Sequence, residues 1–571
     1  MESIWEAAAV PPAAADLEAA GLAGWKAECL ARRGVVDAEQ AAAFLAPSID
    51  QLSSADALPG IAPAAERLAA AAESGAKVAI VGDYDVDGVS ATAQLTAALE
   101  ACGAEVLAIL PHRMAEGYGF HVAHVARAKE SGCSVLVTAD CGSSAPEPAA
   151  AALEAGLDLI VTDHHLTTVE LPQGVIEVNP RRAPGPPGTE GLSAAGVAFK
   201  LAEAVMARRG RPVPREALLR VACLGTVADM VPLRGENRVI AAVGLAALPE
   251  TPSPGLRALM ARSRVRPPLR SADIGFRIGP RINAAGRMGD ADPALELLLT
   301  RDRRRAEQLA GELEERNQLR REAQTRVEDE ARERFAGRAD LPPILVAWAE
   351  DWHKGVVGIA AGRLARDFHR PTILLSLDGD SASGSGRSIP GIELFDFLLP
   401  WGERLQRFGG HAQAIGLTAD SSELETLRSE WERAAASWPA ERLRRRTEYE
   451  LELSPGELTL ELARELETLG PFGVGNRTPL AHLGPLRLCK APRLFGNGHL
   501  ELQAVDPDGE AGLGAKGADK SHQVTLVGWS WQDRQEVFEE PFEVLGVPIW
   551  DRYKDGPVLR LSDARRIARS A

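Results

Sequence analysis

Residues 78–88 read Val-Ala-Ile-Val-Gly-Asp-Tyr-Asp-Val-Asp-Gly. Four apolar residues suited to a buried strand stop at Asp83, Asp85 and Asp87, and a helical pattern follows from Val89 to Leu99. Carboxylates this close repel one another at neutral pH, and hard divalent cations relieve the repulsion because they favour carboxylate oxygens. The stretch therefore predicts a strand, a metal-binding turn and a helix.

The segment from about 62 to 230 alternates strand patterns with helical patterns, which predicts a parallel sheet covered by helices on both faces. Strands are predicted at Lys77–Val81, Glu105–Leu110, Val135–Thr138, Leu157–Thr162 and Val175–Val178. Helices are predicted at Val89–Ala101, Val122–Ser131 and Pro146–Ala155. In such sheets, ligands bind beyond the carboxyl ends of the strands.

Further metal-binding side chains follow these predicted elements. Asp140 comes after the third strand, His164 and His165 come after the fourth, and Asp229 follows an apolar helix predicted at Ala217–Val227. A structural zinc site would need four ligands, preferably with cysteine, and a calcium site would need oxygens without imidazole. Carboxylates mixed with histidine suit Mn²⁺ or a similar ion, and six or seven ligands suit a pair of ions. Such pairs are a common device for phosphodiester cleavage.

Length and composition limit the possible classes of protein. The 571 residues correspond to about three to five domains of ordinary size. The net charge of −16 argues against non-specific binding of nucleic acid, so such binding would depend on local basic patches. No long apolar run and no signal-peptide pattern is found, so neither a membrane span nor a secretory signal is expected. Six cysteines without a Cys-x-x-Cys pair favour reduced thiols in the cytoplasm.

Residues 261–288 invert the acidic balance of the chain. Only one acidic residue, Asp273, accompanies seven arginines, which are Arg262, Arg264, Arg266, Arg270, Arg277, Arg281 and Arg287. This pattern predicts a groove that follows the backbone of a polyanion, and the alternative is a solvated arginine-rich loop. Arg281 and Arg287 lie among glycines, where a backbone can approach a ligand closely.

Four segments resemble the successive motifs of the DHH phosphoesterase superfamily. They are residues 82–88, Ala139-Asp140-Cys141-Gly142, Asp163-His164-His165 and Ala228-Asp229-Met230-Val231-Pro232. The resemblance implies a set of catalytic residues, namely Asp83, Asp85, Asp87, Asp140, His164, His165 and Asp229. It also implies that all of these except His165 are ligands of two divalent ions, Mn²⁺ or Mg²⁺.

Three further segments resemble the RecJ branch of this superfamily, whose members degrade single-stranded DNA from the 5′ end. They are residues 111–119, Gly279–Met288 and Gly470–Asn476. The resemblance implies that Arg113, Arg281, Asn283 and Arg287 bind the substrate. The charge-rich pattern from Asp302 to Phe335 predicts a long helix, which in this family links the DHH domain to a second domain called DHHA1.

Residues 339–445 resemble that DHHA1 domain. Strands are predicted at Ile344–Ala347 and Pro371–Leu375, and Ser383–Ser388 is interpreted as a glycine-rich loop that cradles phosphate. Together with Phe408–Ala412 this segment resembles the DHHA1 signature. The resemblance implies that substrate phosphates are held by Ser385, Gly386, Arg387 and His411, with His353 beside them.

Several short strand patterns in residues 446–571 predict an oligonucleotide-binding β-barrel of the OB type, as in RecJ. Trp529, Trp531 and Phe495 are candidates for base stacking, although core packing is the favoured role for each. Residues 506–521 are interpreted as a loop.

The predicted architecture is a multidomain α/β chain. It contains an N-terminal helical region (1–60) packed on the next segment of the chain, a parallel-sheet DHH domain (61–300), a long linking helix (301–338), an α/β DHHA1 domain (339–445) and a C-terminal OB-fold β-barrel (446–571).

The resemblance implies a single-stranded-DNA-specific 5′→3′ exonuclease that releases mononucleotides and acts in recombination and repair. It also implies a RecQ-type helicase and a single-stranded-DNA-binding protein as partners, and the closed multidomain chain favours a monomer. One alternative is a DHH phosphodiesterase for short RNA or cyclic dinucleotides, which would need neither an OB module nor an arginine-rich segment. The other is an inactive nucleic-acid-binding scaffold, which should have lost ligands of the metal motifs.

Overall fold

The computed structural model of the protein describes residues 3–113, 115–336, 338, 340–496, 498–507, 523–539, 541–551 and 555–567, so most of the predicted loop at 506–521 lies outside it. The chain divides into two compact units. One unit is Ile49–Arg444, and the other combines Met1–Ser48 with Arg445–Ala571. Within the described residues, no helix combines the length and the hydropathy that a membrane crossing requires. All six cysteines are described, and they are unpaired.

The first elements are β1 (Ile4–Ala7), α1 (Ala13–Ala19), α2 (Gly24–Arg32) and α3 (Ala38–Leu45). The prediction that the N-terminal region is helical is confirmed by α1, α2 and α3, but the prediction that it packs on the next segment of the chain is wrong for Met1–Ser48, which belongs to the C-terminal unit. The side chains of Leu17 and Leu30 are buried in one core with Leu466 and Leu483. Helices this short have little stability of their own, so their position depends on a partner that covers their apolar side.

The five-stranded sheet of the DHH region has the order β3-β2-β4-β5-β6, and all of its strands are parallel. The elements are α4 (Ile61–Glu73), β2 (Lys77–Val81), α5 (Val86–Cys102), β3 (Glu105–Ile109), α6 (Val122–Glu130), β4 (Val135–Ala139), α7 (Pro146–Glu154), β5 (Asp158–Thr162), β6 (Ile176–Val178) and α8 (Ala194–Arg208). Val78 and Ile80 lie in the core with α4, α5 and α8, whereas Ala79 and Val81 lie in the core with α6 and α7. Both faces of the sheet are therefore covered, as predicted.

A helical region follows this sheet. Its elements are α9 (Arg215–Ala228), α10 (Gly235–Ala247), α11 (Pro254–Arg262), α12 (Ser271–Asp273), a π-helical turn (Ile274–Ile278), α13 (Gly279–Met288), α14 (Asp292–Leu299) and α15 (Arg303–Phe335). The long helix α15 confirms the predicted linking helix. Its N-terminal half buries Leu309 and Leu313 in the core of the DHH region, and its C-terminal half buries Val327 and Phe335 against the next domain.

The DHHA1 region has a mixed sheet with the order β10-β11-β9-β8-β7. Its elements are β7 (Leu345–Ala349), α16 (Lys354–Phe368), β8 (Thr372–Asp378), β9 (Ser381–Arg387), α17 (Leu394–Leu398), β10 (Arg407–His411), β11 (Ala414–Asp420) and α18 (Leu424–Ala435). The prediction of a glycine-rich loop at Ser383–Ser388 is wrong, because residues 383–387 belong to β9. This strand pairs with β8 on one side and β11 on the other, so its backbone cannot cradle a phosphate.

The C-terminal unit contains a seven-stranded sheet with the order β13-β14-β18-β19-β17-β16-β15, which an additional β14–β16 pairing closes into a barrel. Its elements are β12 (Arg446–Tyr449), β13 (Leu451–Glu452), α19 (Leu460–Glu467), β14 (Ala481–Leu488), β15 (Arg493–Phe495), β16 (His499–Val505), β17 (Gln523–Gly528), β18 (Phe542–Asp551) and β19 (Gly556–Arg566). The predicted OB-type barrel is confirmed.

The segment Gly470–Asn476 has a structural role in this unit. The side chain of Asn476 is buried and donates hydrogen bonds to the carbonyls of Leu469 and Pro471, each at 2.8 Å. Its Oδ1 accepts a 2.6 Å hydrogen bond from Arg33, whose guanidinium also forms an ion pair with Glu450 at 2.7 Å. Asn476 therefore joins the N-terminal helices to the barrel.

Candidate metal centre and phosphate site

The predicted metal ligands converge at the carboxyl edge of the parallel sheet. Asp83 and Asp85 follow β2, Asp87 lies in the first turn of α5, Asp140 follows β4, and His164 and His165 follow β5. Asp229 comes from the C-terminal end of α9, which packs against α5. The parallel strands and the packing of α9 on α5 bring together ligands that are up to 146 residues apart in sequence (Asp83 to Asp229).

Backbone hydrogen bonds hold the first aspartates in place. Asp85 caps α5 and accepts hydrogen bonds from the backbone N–H groups of Asp87 (2.9 Å) and Gly88 (3.1 Å). The carboxylate of Asp87 accepts hydrogen bonds from the first two N–H groups of α8, those of Ala194 (2.8 Å) and Ala195 (2.9 Å). These fixed donors orient both carboxylates before any ion binds.

The ligand atoms form three overlapping groups, each with its members within 4.8 Å of one another. The groups are Asp83, Asp85 and Asp140; Asp87, His164 and Asp229; and Asp140, His164 and His165. His164 Nε2 lies 3.1 Å from Asp140 Oδ1, 3.6 Å from Asp229 Oδ2 and 3.7 Å from Asp87 Oδ2. Because Asp140 and His164 each belong to two groups, the arrangement suits neighbouring ions that share ligands.

The donor atoms of this centre fit a bound cation. Asp83 Oδ1, Asp140 Oδ1 and both ring nitrogens of His164 are buried and have no hydrogen-bond partner among the described residues. Burial and the neighbouring carboxylates raise the pKa of Asp87 to about 7 and that of Asp229 to about 8, and they hold the pKa values of Asp83 and Asp140 well above the ordinary range. Burial lowers the pKa of His164 to about 3, which leaves its imidazole neutral and able to bind a metal.

We expect the metal-free protein to lose stability as the pH rises from about 5 to 8. A carboxyl group with a higher pKa in the folded than in the unfolded chain keeps its proton longer when folded, so deprotonation favours unfolding. Each such proton contributes up to about 1.4 kcal/mol per pH unit. Mn²⁺ replaces these protons, so the rise in melting temperature on adding Mn²⁺ should be larger at pH 8 than at pH 6. Thermal unfolding with EDTA and with Mn²⁺ at both pH values measures this, and an equal rise at both would contradict it.

Two side chains to which the sequence patterns assign no role support His165. Asp163 accepts hydrogen bonds from the backbone N–H groups of His164 (2.7 Å) and His165 (3.1 Å) and lies 2.8 Å from Nδ1 of His165. Burial alone would raise the pKa of Asp163, but the hydrogen bond and charge of His165 outweigh it and lower this pKa. The Tyr118 hydroxyl donates to the Asp140 carbonyl at 3.0 Å and lies 3.2 Å from His165 Nδ1. Both residues lie within sequence motifs that are recognisable without the structure. Their contacts with His165, however, are visible only in the structure.

Three predicted phosphate-binding arginines lie near one another beside this centre. Arg113 stacks on the ring of Tyr84, 4.8 Å from its centroid, and Arg287 donates a 3.0 Å hydrogen bond to the carbonyl of Gly355 in the DHHA1 region. Burial lowers the pKa of Arg287 to about 9, and it lowers that of Arg387. In both cases the charge of Arg113 adds to the effect, so Arg113 repels each of the other two guanidinium groups and an anion placed among them would relieve this repulsion.

Close helix packing positions Arg387 from β9. A β-carbon at Gly358 of α16 would lie 3.0 Å from Arg387 Nη2 and 3.1 Å from Ser385 Oγ, so glycine at this position favours the close approach of α16 to these side chains. Ser385 Oγ accepts a 3.4 Å hydrogen bond from Arg387 Nη1. A β-carbon at Gly386 would lie within 3 Å of Ile415 and Leu394 side chains, which makes that glycine a packing requirement.

The other predicted substrate-binding residues have structural contacts. The side chain of Arg281 forms an ion pair with Glu314 and donates to the carbonyls of Arg262 and Arg277, so it is committed to the packing of α13 against α15. Asn283 accepts a 3.1 Å hydrogen bond from the Val86 N–H and so holds the metal-binding turn.

The two predicted histidines of the DHHA1 region accept local backbone hydrogen bonds. His353 caps α16 by accepting from the Gly355 N–H at 3.0 Å. His411 is exposed on β10, the edge strand of its sheet, and accepts from the Gln413 N–H at 3.3 Å. Neither contact involves a ligand of the metal centre.

Three parts of the chain match known protein families. Residues 77–226 match the DHH family, N-terminal domain, residues 341–437 match the DHHA1 domain, and residues 449–562 match the RecJ OB domain. The chain is 37% identical over 479 residues to the single-stranded-DNA-specific exonuclease RecJ of Dickeya dadantii, covering 79% of this chain and 82% of that protein. It is 37% identical over 458 residues to the protein of the same name from Bacillus subtilis, covering 79% of this chain but 58% of that protein.

A solved structure shares the fold of this chain. RecJ from Thermus thermophilus in complex with Mn²⁺ superposes with a TM-score of 0.82 at 30% identity and covers 99% of this chain and 80% of that chain. The Mg²⁺ complex of RecJ from the same organism gives a TM-score of 0.77 at 28% identity, with coverage of 99% and 79%.

Proposed function

This chain belongs to the RecJ family of single-stranded-DNA-specific exonucleases, and from this premise we propose that it hydrolyses single-stranded DNA from the 5′ end and releases mononucleotides. The observation that carries the proposal is the juxtaposition of two opposite electrostatic sites. A cluster of acidic and imidazole ligands lies beside three arginines, and Arg113 and Tyr84 join the two sites. Hydrolysis of an anionic phosphodiester can use both sites. The acidic cluster would hold the metal ions, and the arginines would bind phosphate oxygens.

The metal ligands are those of the three overlapping groups, and the ions are Mn²⁺ or Mg²⁺. When bound, two such ions activate water and stabilise negative charge on the phosphate. The chain contributes the orientation of the ligands. Asp85 and Asp87 are fixed by backbone N–H groups, and His165 is held by Asp163, so its Nδ1 is engaged and its Nε2 remains available to exchange a proton or bind a ligand.

Arg113, Arg287 and Arg387 are the proposed phosphate-binding residues, and Ser385 supports Arg387. Guanidinium groups bind phosphate oxygens through two parallel hydrogen bonds. Arg281, Asn283 and His353 act indirectly in this proposal, because their side chains hold the neighbouring elements in place.

The direct test uses single strands labelled at the 5′ or the 3′ end, with Mn²⁺. We expect early release of labelled mononucleotide from the 5′-labelled strand and sparing of a blunt duplex. Cleavage of a cyclic dinucleotide alone would replace this proposal with a dinucleotide phosphodiesterase. Tight binding of the strand without any cleavage would favour an inactive scaffold.

The barrel offers a surface for base stacking. Trp529 is 53% exposed, and its ring contacts those of His499 (4.5 Å between centroids) and Phe495 (5.9 Å). The expectation that Trp529 packs in the core is wrong, whereas that for Trp531 is confirmed. Ser530 adopts a left-handed backbone with a φ of 60°, which allows the two tryptophans to point in different directions.

We expect Trp529→Ala to weaken the binding of a long single strand by about tenfold, because stacking of a base on an aromatic ring contributes about 1–3 kcal/mol. Cleavage of a very short oligonucleotide should change little, because a stacking contact adds binding energy only to strands long enough to occupy it. Fluorescence anisotropy with strands of different lengths measures this. Trp550→Ala serves as a control on the same barrel, and an equal loss at all lengths would contradict the stacking role.

The family also suggests the setting of the enzyme. We infer a role in DNA recombination and repair, in the cytoplasm and as a monomer, with a RecQ-type helicase to supply unwound strands and a single-stranded-DNA-binding protein to cover them. Co-purification with each protein and light scattering of the purified chain test these inferences.

A further inference from the structure

Two of the most exposed large apolar side chains lie on residues that directly follow residues of the metal centre. Among the described residues, the three most exposed are Phe276, Leu166 and Met230, which are 81%, 77% and 68% exposed. Leu166 directly follows the proposed metal-centre residue His165, and Met230 directly follows Asp229. Single exposed apolar residues are normal on a protein surface, but a group of them at one site indicates an interaction.

The turn that carries Phe276 packs against segments of the metal centre. It lies on the π-helical turn Ile274–Ile278, whose two terminal isoleucines are buried. A β-carbon at the following residue, Gly279, would lie 3.6 Å from side-chain carbons of both Val86 and Ala228. Val86 stands between Asp85 and Asp87, and Ala228 precedes Asp229, so the turn packs against two segments that carry metal ligands. π-Helical turns are frequent at functional sites.

The backbone at Met230 supports the same interpretation. Met230 adopts the left-handed region with a φ of 61°, which is unfavourable for a residue with a long side chain. The neighbouring ligand Asp229 lies partly buried at the centre, while the methionine side chain is exposed. Backbone strain of this kind is found at functional sites, where the surrounding structure maintains it.

We propose that Leu166, Met230 and Phe276 form an apolar collar that contacts the unpaired nucleobases on either side of the cleaved phosphodiester bond. This inference rests on the proposed function. A base is joined to its phosphate through one sugar, so a phosphate held at the metal centre brings its bases to the adjoining surface. The collar itself is apolar. The chain near its member Phe276 is basic, because Arg264, Arg266 and Arg277 are exposed there. Bases and phosphates of a single strand match this combination.

The collar also explains how specificity arises without recognition of base sequence. The three side chains have no hydrogen-bond donor, so they contact any base without distinguishing its edge. A base inside a duplex has both faces covered by its neighbours, and it reaches an apolar side chain only after costly unstacking. The collar therefore positions single-stranded substrate, and its three members are positioning residues for this reaction.

The test compares two 5′-phosphorylated oligothymidylates that carry identical phosphates. In one, the first two nucleotides have their bases, and in the other these positions are abasic tetrahydrofuran analogues. We expect the wild type to show a KM about tenfold lower for the strand with bases. Phe276→Ala should lose most of this preference with little change in kcat, and Phe276→Trp should retain it because it keeps an aromatic ring.

Matched controls separate the collar from general damage. Leu399→Ala removes another exposed apolar side chain, 51% exposed and located in the DHHA1 region, and should keep the wild-type preference. An unchanged rise of the melting temperature with Mn²⁺ would show that Phe276→Ala keeps its metal centre. Equal cleavage of both strands by the wild type, or an unchanged preference in Phe276→Ala, would overturn the collar while leaving the exonuclease intact. No cleavage of any strand by the wild type would overturn the proposed function and the collar with it.

Discussion

Asp140→Asn is expected to reduce the release of 5′-nucleotides by at least about 1,000-fold. The variant would bind the metal ions less well, and without their charge the activation free energy rises by several kcal/mol. Asp140 belongs to two of the three ligand groups, so one substitution affects more than one ion position. Its backbone is left-handed, with a φ of 70°, and asparagine tolerates this conformation far better than alanine. The substitution therefore removes the charge and leaves the turn in place.

The same variant should change stability in a direction that ordinary damage would not. Burial and the neighbouring carboxylates raise the pKa of Asp140, so the charged carboxylate is unfavourable in the metal-free folded protein and a neutral amide removes this cost. We expect a higher melting temperature in EDTA and a much smaller rise on adding Mn²⁺. Thermal unfolding with and without Mn²⁺, beside the nuclease assay, measures both effects.

Asp158→Asn is the matched control for this prediction. Asp158 begins β5, at the opposite end of the sheet from the metal centre, and forms an exposed ion pair with Arg67. Its loss should leave activity and the Mn²⁺ response unchanged, because exposed ion pairs contribute little. Full activity of Asp140→Asn would exclude Asp140 as a ligand.

Arg387→Ala is expected to lower kcat/KM about 100-fold for a 5′-phosphorylated strand, because about 3 kcal/mol of charge-assisted hydrogen bonding is lost. For a strand with a 5′-hydroxyl, the loss should be much smaller, because this strand lacks the terminal phosphate that we propose Arg387 to hold. Steady-state rates on the two strands measure the difference. Arg387→Lys should recover only part of the activity, because an ammonium group cannot bind two phosphate oxygens in the same planar way.

Arg363→Ala provides the control for the arginine prediction. Arg363 lies on α16 and is exposed, with an ion pair to Asp367 at 3.3 Å. Its loss should affect both strands equally and weakly. A uniform 100-fold loss in Arg387→Ala, whatever the 5′ end, would assign Arg387 to the packing of α16 on β9 and not to phosphate recognition.

The α/β region was predictable because its signals are local. The strand Lys77–Val81 and the helix after it follow from an apolar run that ends in glycine and aspartate, and the structure has this strand at the predicted bounds. The acidic turns could be located for the same reason, since each follows directly after an apolar strand. The general rule for parallel sheets then places the ends of β2, β4 and β5 at one edge.

Errors arose where the same local pattern suits two structures. The small residues at Ser383–Ser388 are compatible with a loop, but they are also compatible with a central strand that has close neighbours on both sides. Residues 383–387 pair with β8 and β11, so they form such a strand. Arginines near glycine suit a phosphate site, yet Arg281 forms an ion pair with Glu314, which lies 33 residues later on α15. The N-terminal helices carry apolar stripes that do not specify which domain covers them.

The amino-acid sequence by itself determined the elements, the ligand types and their order, because these depend on periodicity and on residues adjacent in the chain. The tertiary structure alone decided which atoms share a site. It separated Arg113, Arg287 and Arg387 near the metal centre from Arg281 in the core, gave Asp163 its role in holding His165, and exposed Trp529 and Phe276. Side-chain partners and exposure depend on packing between segments that are distant in sequence, and no local pattern encodes that packing.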